Sequence, residues 1–314
     1  MPNIVVALGG GGIKGIAHLG VLRALEENGF SVKAVAGTSA GGLVGAVYAA
    51  GNSPTRIMEI VNRMDQKALF RRNSHDGPSL LGLRGLTNLL AEVVGNISFA
   101  DLAIPFACTA VDITSSQEFI LSEGRLLDAI LSTIAIPGVF PPRHIKNATL
   151  VDGGVMDPVP VAVARWLNPS LPVIAVSLSP SLASGFTQPS YHLPTTAHIP
   201  TPIVEYLNKL RLGQAMQIFL TGMELSTLML TELRLRAEKP EVILRPDVEK
   251  FGILDSVDPN ELMALGEKAV IDALPKIKES LTWQRSFMRH LRRADPPGIV
   301  TGFTNDDISS GLSE

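Results

Sequence analysis

Residues 4–25, IVVALGGGGIKGIAHLGVLRAL, place four consecutive glycines, Gly9 to Gly12, between an apolar run and a segment of helical periodicity. The run over 4–8 is short and rich in β-branched residues, which predicts a buried strand. From Gly15 to Asn28 an apolar stripe of Ile16, Leu19, Leu22 and Leu25 leaves Glu26 and Glu27 outside, which predicts a helix closing near Gly29. A strand that runs through glycines into a helix is the opening of an α/β unit. Such glycines leave backbone N–H groups bare for something negative, either a cofactor phosphate or an oxyanion formed during a reaction.

The alternation continues along the chain. Strands are predicted at 32–36, 105–111, 119–121, 149–151 and 172–177. Helices are predicted at 40–50, 57–70, 126–134 and 159–166, the last with Pro160 in its first turn, and an apolar helix at 214–235 reads equally as core or as a partner-binding face. This order predicts a three-layer α/β/α sandwich with a mainly parallel central sheet. Between Lys33 and Arg56 there is no charge, and Gly37, Gly41 and Gly45 have the spacing of a membrane helix-packing face. Polar Thr38 and Ser39 at the centre, with strand and helix flanks, argue instead for a buried strand–turn–helix. Three segments interrupt the rhythm: a polar, Gly/Pro-punctuated surface loop at 71–84, a Pro/Thr/His-rich loop at 184–202, and a loose tail at 294–314.

Gly37-Thr38-Ser39-Ala40-Gly41 fits G-x-S-x-G, placed between a predicted strand and a predicted helix. That is the setting of a nucleophile elbow, in which a sharp turn lifts the Ser39 hydroxyl to a helix N-terminus. A serine nucleophile needs a base. His192 and His198 lie in the irregular loop, so a histidine triad is poorly supported. Asp152, ending a short apolar strand and followed by Gly153 and Gly154, is the better candidate. A free aspartate is a weak base at neutral pH, so the site must desolvate it. The cofactor alternative for the glycine loop lacks the acidic residue expected at the end of the second strand, and Lys14 is followed by Gly15 and not by the Ser or Thr of a P-loop. The amides of Gly11, Gly12 and Ala40 are therefore expected to face an oxyanion.

Taken together, these segments resemble the patatin-like phospholipase family of bacterial type. The matching residues are Gly10-Gly11-Gly12-Ile13-Lys14-Gly15 for the oxyanion loop, Gly37 to Gly41 for the elbow, and Asp152-Gly153-Gly154. Further blocks, AIPGVFPP at 135–142 and ILRPDVEKFGILDS at 243–256, extend the resemblance over roughly residues 4–277. It implies a Ser39–Asp152 dyad without histidine, no metal or cofactor, and hydrolysis of acyl esters in lipids. The alternative from another class is a catalytically weak regulatory module that binds acyl chains. Asp157 stands where relatives often carry Asn; it is expected either to raise the Asp152 pKa or to cap the following helix. Lys14 stands where many members carry Arg, to fix the loop or to attract an anionic head group.

The hydrolase domain is expected at 1–280, with a basic amphipathic segment and tail at 281–314. Within that segment 283–293, WQRSFMRHLRR, spaces Trp283, Phe287 and Leu291 along one face beside four arginines, the pattern of a peripheral membrane contact or of a helix packed on the domain. A net charge of −3 gives no footprint for nucleic acid. A single cysteine, Cys108, excludes an internal disulfide, and the first residues do not read as a signal peptide; the expected location is cytoplasmic. Leu80, Leu81, Leu83, Leu86, Leu89 and Leu90 read as a lid or acyl wall, or equally as core.

Overall fold

The first strand, β1 (Asn3–Leu8), is buried beyond its first residue, as an unbroken apolar run requires of a central parallel strand. The computed structural model describes residues 1–71, 79–145, 147–181, 211–253, 255–282 and 295–303. β1 lies between β2 (Ser31–Gly37) and β7 (Val173–Val176), parallel to both, and β8 (Val242–Leu244) continues the parallel order beyond β7. On the other side β2 is parallel to β3 (Phe106–Asp112). Past β3 the sheet is mixed. β4 (Gln117–Gly124), β5 (Arg143–Ile145) and β6 (Ala148–Asp152) enter through antiparallel pairings. β9 (Ile299–Phe303) joins β4 in parallel.

One feature of the register positions everything that follows. Residues 35–37 of β2 pair with 106–108 of β3, and residues 150–152 of β6 pair with 110–112. β4 pairs with 108–112 and so holds the other edge of β3. β2 and β6 therefore share one edge and meet carboxyl end to carboxyl end, with Gly37 opposite Cys108 and Asp152 opposite Ala110.

Side chains alternate across the strands, so each sheet face has its own core. Ile4, Val6 and Leu8 pack with residues of α1 (Ala17–Glu27), α2 (Ala40–Ala49), α5 (Arg84–Val94), α6 (Leu126–Thr133) and α9 (Pro259–Ser280). Val5, Ala7, Ala34 and Ala36 pack with α7 (Val161–Leu167) and with Leu235 of α8 (Arg211–Glu238). These are the three layers expected. The uncharged stretch after Lys33 is β2 and α2, and no helix among the described residues is long and apolar enough to cross a membrane.

Three expectations change. The helix expected at 57–70 is two: α3 (Pro54–Arg63), capped by Ser53, and the short α4 (Gln66–Leu69). Met64 between them is extended, with ψ 138°, which breaks the helical ladder. The surface loop at 71–84 turns inward at its end. Leu80 and Leu81 donate backbone bonds to Gly138 and Val139, and Leu81 and Leu83 are buried. The tail expected from 294 contains β9, whose β-branched Ile299, Val300 and Thr301 suit an edge strand. Residues 72–78, 184–202, 283–293 and 304–314 lie outside the described residues.

α1 and α9 cross at glycines. A Cβ on Gly20 would stand 1.9 Å from the Met263 carbonyl oxygen, and one on Gly266 would stand 1.9 Å from that of Ala17. Gly20→Ala is expected to destabilise the chain by about 1–3 kcal/mol through overpacking. A lower midpoint in denaturant titration would check this, and an unchanged midpoint would show that the two helices part without cost.

Candidate active site

Ser39 follows the end of β2 and precedes α2, with φ 55° and ψ −124°. A positive φ is rare for a residue with a side chain and is held only where the surroundings over-determine it. Here they do. The Ser39 amide donates to Thr133 Oγ1 at 2.9 Å, the Thr38 amide to Leu8 O at 3.0 Å, and the Gly41 amide to Thr38 O at 2.9 Å. Gly41 is pressed against β1, where a Cβ would stand 2.1 Å from Leu8 O. Ala40 is the first residue of α2, so its amide has no partner inside the helix.

Asp152 ends β6, and its amide donates to Ala135 O at 2.9 Å. Its carboxylate accepts from the Gly154 amide at 2.7 Å through Oδ1. The other oxygen, Oδ2, is buried without a hydrogen-bond partner among the described residues. Burial pushes the Asp152 carboxyl up to about 7, against the lowering effects of Ser39 and the Gly154 amide. Ser39 thus approaches closely enough to act on the carboxylate but lacks the geometry of a completed hydrogen bond. Catalytic hydrogen bonds are commonly loose before substrate arrives.

The glycine loop passes on the other side of Ser39. The Gly10 amide is spent on Pro158 O at 2.9 Å, so Gly10 places the loop and is no donor to a ligand. Gly12 has φ +59°, and a Cβ there would stand 2.2 Å from Ile253 O; that carbonyl accepts from the Ile13 amide at 2.9 Å. The late block at 243–256 thereby fastens the loop. Gly11 and Gly12 open a 3₁₀ turn over Gly12–Ile16, whose first amides have no partner within it. Gly10 and Gly15 pack against the elbow, toward Ser39 Cβ and Ala40 Cβ respectively.

Lys14 points inward. It is buried, with Nζ 3.9 Å from Glu224 of α8. Burial lowers its pKa, while Glu224, Asp255 and Glu249 oppose the shift. Of the two roles open in the sequence, the geometry favours fixing the loop. His18, also buried, lies with Nε2 2.8 Å from Gly9 O; burial drops its pKa to about 4, which leaves it neutral. Asp157 fits neither expectation. It is absent from the groups that shift Asp152, and the residue capping α7 is Pro160. It is fully buried and pairs with Arg234 of α8 at 2.9 Å. Thr133, Glu224 and Arg234 had no readable signal, because each acts from an element far away in sequence.

A cavity of about 200 Å³ opens on Ser39, beside Gly12, Gly15 and Ala40. Its walls are apolar: Leu81, Leu86, Leu89 and Leu90, with Ile134, Ile136 and Phe140 from the AIPGVFPP block and its approach. Four of the six singled-out leucines therefore line it; Leu80 and Leu83 do not. A larger open groove of about 520 Å³ lies beyond α3–α5, next to Arg56, Arg63 and Glu92. Its described lining residues include no serine, threonine or cysteine, so the Ser39 cavity is the candidate site. His192 and His198 lie outside the described residues.

The family model described as patatin-like phospholipase matches residues 6–165, which contain every one of these loops. An uncharacterised NTE family protein of Mycobacterium tuberculosis is 33% identical over 214 residues, covering 67% of this chain and 56% of that protein. The chain thus spans about half the length of that relative. The lysophospholipase NTE1 of Mycosarcoma maydis is 33% identical over 166 residues, covering 51% of this chain and 9% of that protein. VipD from Legionella pneumophila shares the fold, with a TM-score of 0.54 at 13% identity over 88% of this chain and 67% of its own. With its elbow, glycine loop and Asp-Gly-Gly turn all inside the matched region, the chain belongs to the patatin-like phospholipase family.

Proposed function

We propose that the chain is a serine acyl-ester hydrolase acting on lipids, with Ser39 as nucleophile and Asp152 as its base. The observation that carries this reading is a buried carboxylate with an unpartnered oxygen beside a serine held at positive φ, at the mouth of an apolar cavity. The acyl chain occupies the cavity, and the ester carbonyl lies between Ser39 and the glycine loop. Asp152 takes the Ser39 proton as Oγ attacks. The oxyanion receives the amides of Gly11, Gly12 and Ala40, worth about 3 kcal/mol per donor in comparable sites. The protonated Asp152 then gives its proton to the departing alcohol oxygen. Water, deprotonated by Asp152, attacks the acyl-serine and releases the fatty acid. Relatives named lysophospholipases support a single-chain phospholipid as the first substrate to try. Residues 1–280 are proposed as the catalytic unit, and 283–293 as its peripheral membrane contact.

A weak acyl-binding module would keep the cavity and lack turnover. A lipid panel and a p-nitrophenyl acyl ester, assayed with wild type beside Ser39→Ala, separate the two. Ser39→Ala and Asp152→Asn are each expected to lower kcat by about 10⁴-fold, with far less than additive effects in the double variant. The absence of Ser39-dependent turnover on every ester would leave the binding module, and full activity in Asp152→Asn would overturn the dyad.

The pH dependence follows from Asp152. The base must be ionised, so kcat/KM rises with pH through about 7. Stability runs the other way. The folded-state pKa lies above the unfolded value near 4, so the folded chain holds a proton that the unfolded chain has lost. This contribution is complete below about pH 4 and is lost as pH rises through about 7. Asp152→Asn is therefore expected to gain stability relative to wild type between pH 5 and pH 8, by a few kcal/mol at most. Parallel pH–stability curves for the two proteins would show that Asp152 is not protonated in the folded state.

A further inference from the structure

Three loops of the site converge on residues 156–158, just past the Asp-Gly-Gly turn. The Asp157 carbonyl accepts from Thr38 Oγ1 at 2.8 Å, and Thr38 is the residue before Ser39. The Pro158 carbonyl accepts from the Gly10 amide at 2.9 Å, at the root of the glycine loop. The Asp157 amide donates to Gly153 O at 2.8 Å, which closes the turn beside Asp152. A displacement here moves nucleophile, base and oxyanion donors relative to one another.

The segment is gripped from the other layer of the protein. Arg234 of α8 donates through Nη1 to Met156 O at 3.1 Å and through Nη2 to Asp157 Oδ2 at 2.9 Å. One planar guanidinium thus holds a backbone carbonyl and the adjacent side chain together. Glu118 of β4 and Glu238 of α8 flank Arg234, and Glu238 also accepts from the Ala162 amide at the start of α7. Burial holds the carboxyls of Asp157 and Glu118 above their ordinary range, with Arg234 opposing.

We propose that Arg234 is a positioning residue for the active site, setting the register of the elbow, the glycine loop and the Asp152 turn by fixing residues 156–158. The proposal rests on the dyad reading and goes beyond it, since Arg234 touches neither Ser39 nor Asp152. A plain charge-balancing role is the competitor, because Arg234 sits among three carboxylates. The two roles differ in what rescues its loss.

The experiment measures kcat, KM and thermal unfolding on a soluble p-nitrophenyl ester for Arg234→Lys, Arg234→Met and the double variant Arg234→Met with Asp157→Asn. Lysine keeps the charge but is a point donor without the guanidinium fork. Arg234→Lys is therefore expected to stay folded and to lose about 10²-fold in kcat, with KM nearly unchanged. Arg234→Met is expected to lose kcat and also stability, by stranding a buried carboxylate. The double variant removes the fully buried carboxylate of the three, so it recovers part of the lost stability and leaves kcat low. Recovery of kcat together with stability would overturn the positioning role in favour of charge balance. A wild-type kcat in Arg234→Lys would overturn it directly. Wild type without Ser39-dependent turnover is a separate result: it overturns the dyad reading, and this proposal with it.

Discussion

The shared edge of β3 is the constraint on which the rest of the site depends. A strand edge offers one row of donors and acceptors, and two partners can use it only in succession. β2 takes the first half in parallel, and β6 takes the second half antiparallel. Their carboxyl ends must then face each other, two β3 residues apart, or roughly 7 Å at the rise of a strand. Whatever follows β2 and whatever ends β6 are brought together by main-chain pairing alone. In this chain those are Ser39 and Asp152. The side chains need supply only the final adjustment, through Thr133 under the Ser39 amide and the Gly154 amide on the carboxylate.

The arrangement carries a cost in charge. Lys14, His18, Asp152 and Asp157 are all buried around three short loops. Burial drives each toward its neutral form, and partners reverse that only in part. Lys14 is held by Glu224 and Asp157 by Arg234, both partners on α8. Among the described residues Asp152 has no cationic partner, which suits the role proposed for it: a nearby cation would pull its pKa down and leave a weak base. The site is thus poised by desolvation where its neighbours are pinned by pairing.

Much of this was legible in the sequence, for a local reason. The glycine run, the elbow and the Asp-Gly-Gly turn are each a strand end with small residues, and strand ends are where a parallel sheet presents its chemistry. The order of apolar segments gave the layers. What could not be read is what depends on distant partners. Asp157 looked like a cap or a neighbour of Asp152, because its counterion lies on another helix far along the chain. The helix at 57–70 kept its apolar period across Met64, so nothing in the pattern marked the break. The tail hid β9 because five residues flanked by polar and proline-rich chain make a weak period. The leucine cluster is ambiguous because acyl wall and core demand the same side chains, and Leu81, Leu86 and Leu90 both line the cavity on Ser39 and belong to the core.

The head-to-head meeting of β2 and β6 also imposes an order of events on synthesis. The elbow and glycine loop leave the ribosome early, but the groups that hold them, Thr133 for the elbow and the Pro158 and Ile253 carbonyls for the loop, are made later. Asp152 emerges much later, and β6 reaches its place beside the end of β2 only by pairing with β3. Residues 156–158, which latch the glycine loop through Pro158 and the elbow through Asp157, come later still. Domains grow from the N-terminus as they are made. A nascent chain therefore carries Ser39 well before it carries Asp152, the base proposed for it, or Ile253 of the cavity wall. The topology acts as a delay: the proposed nucleophile and base meet only when the sheet that carries them is complete.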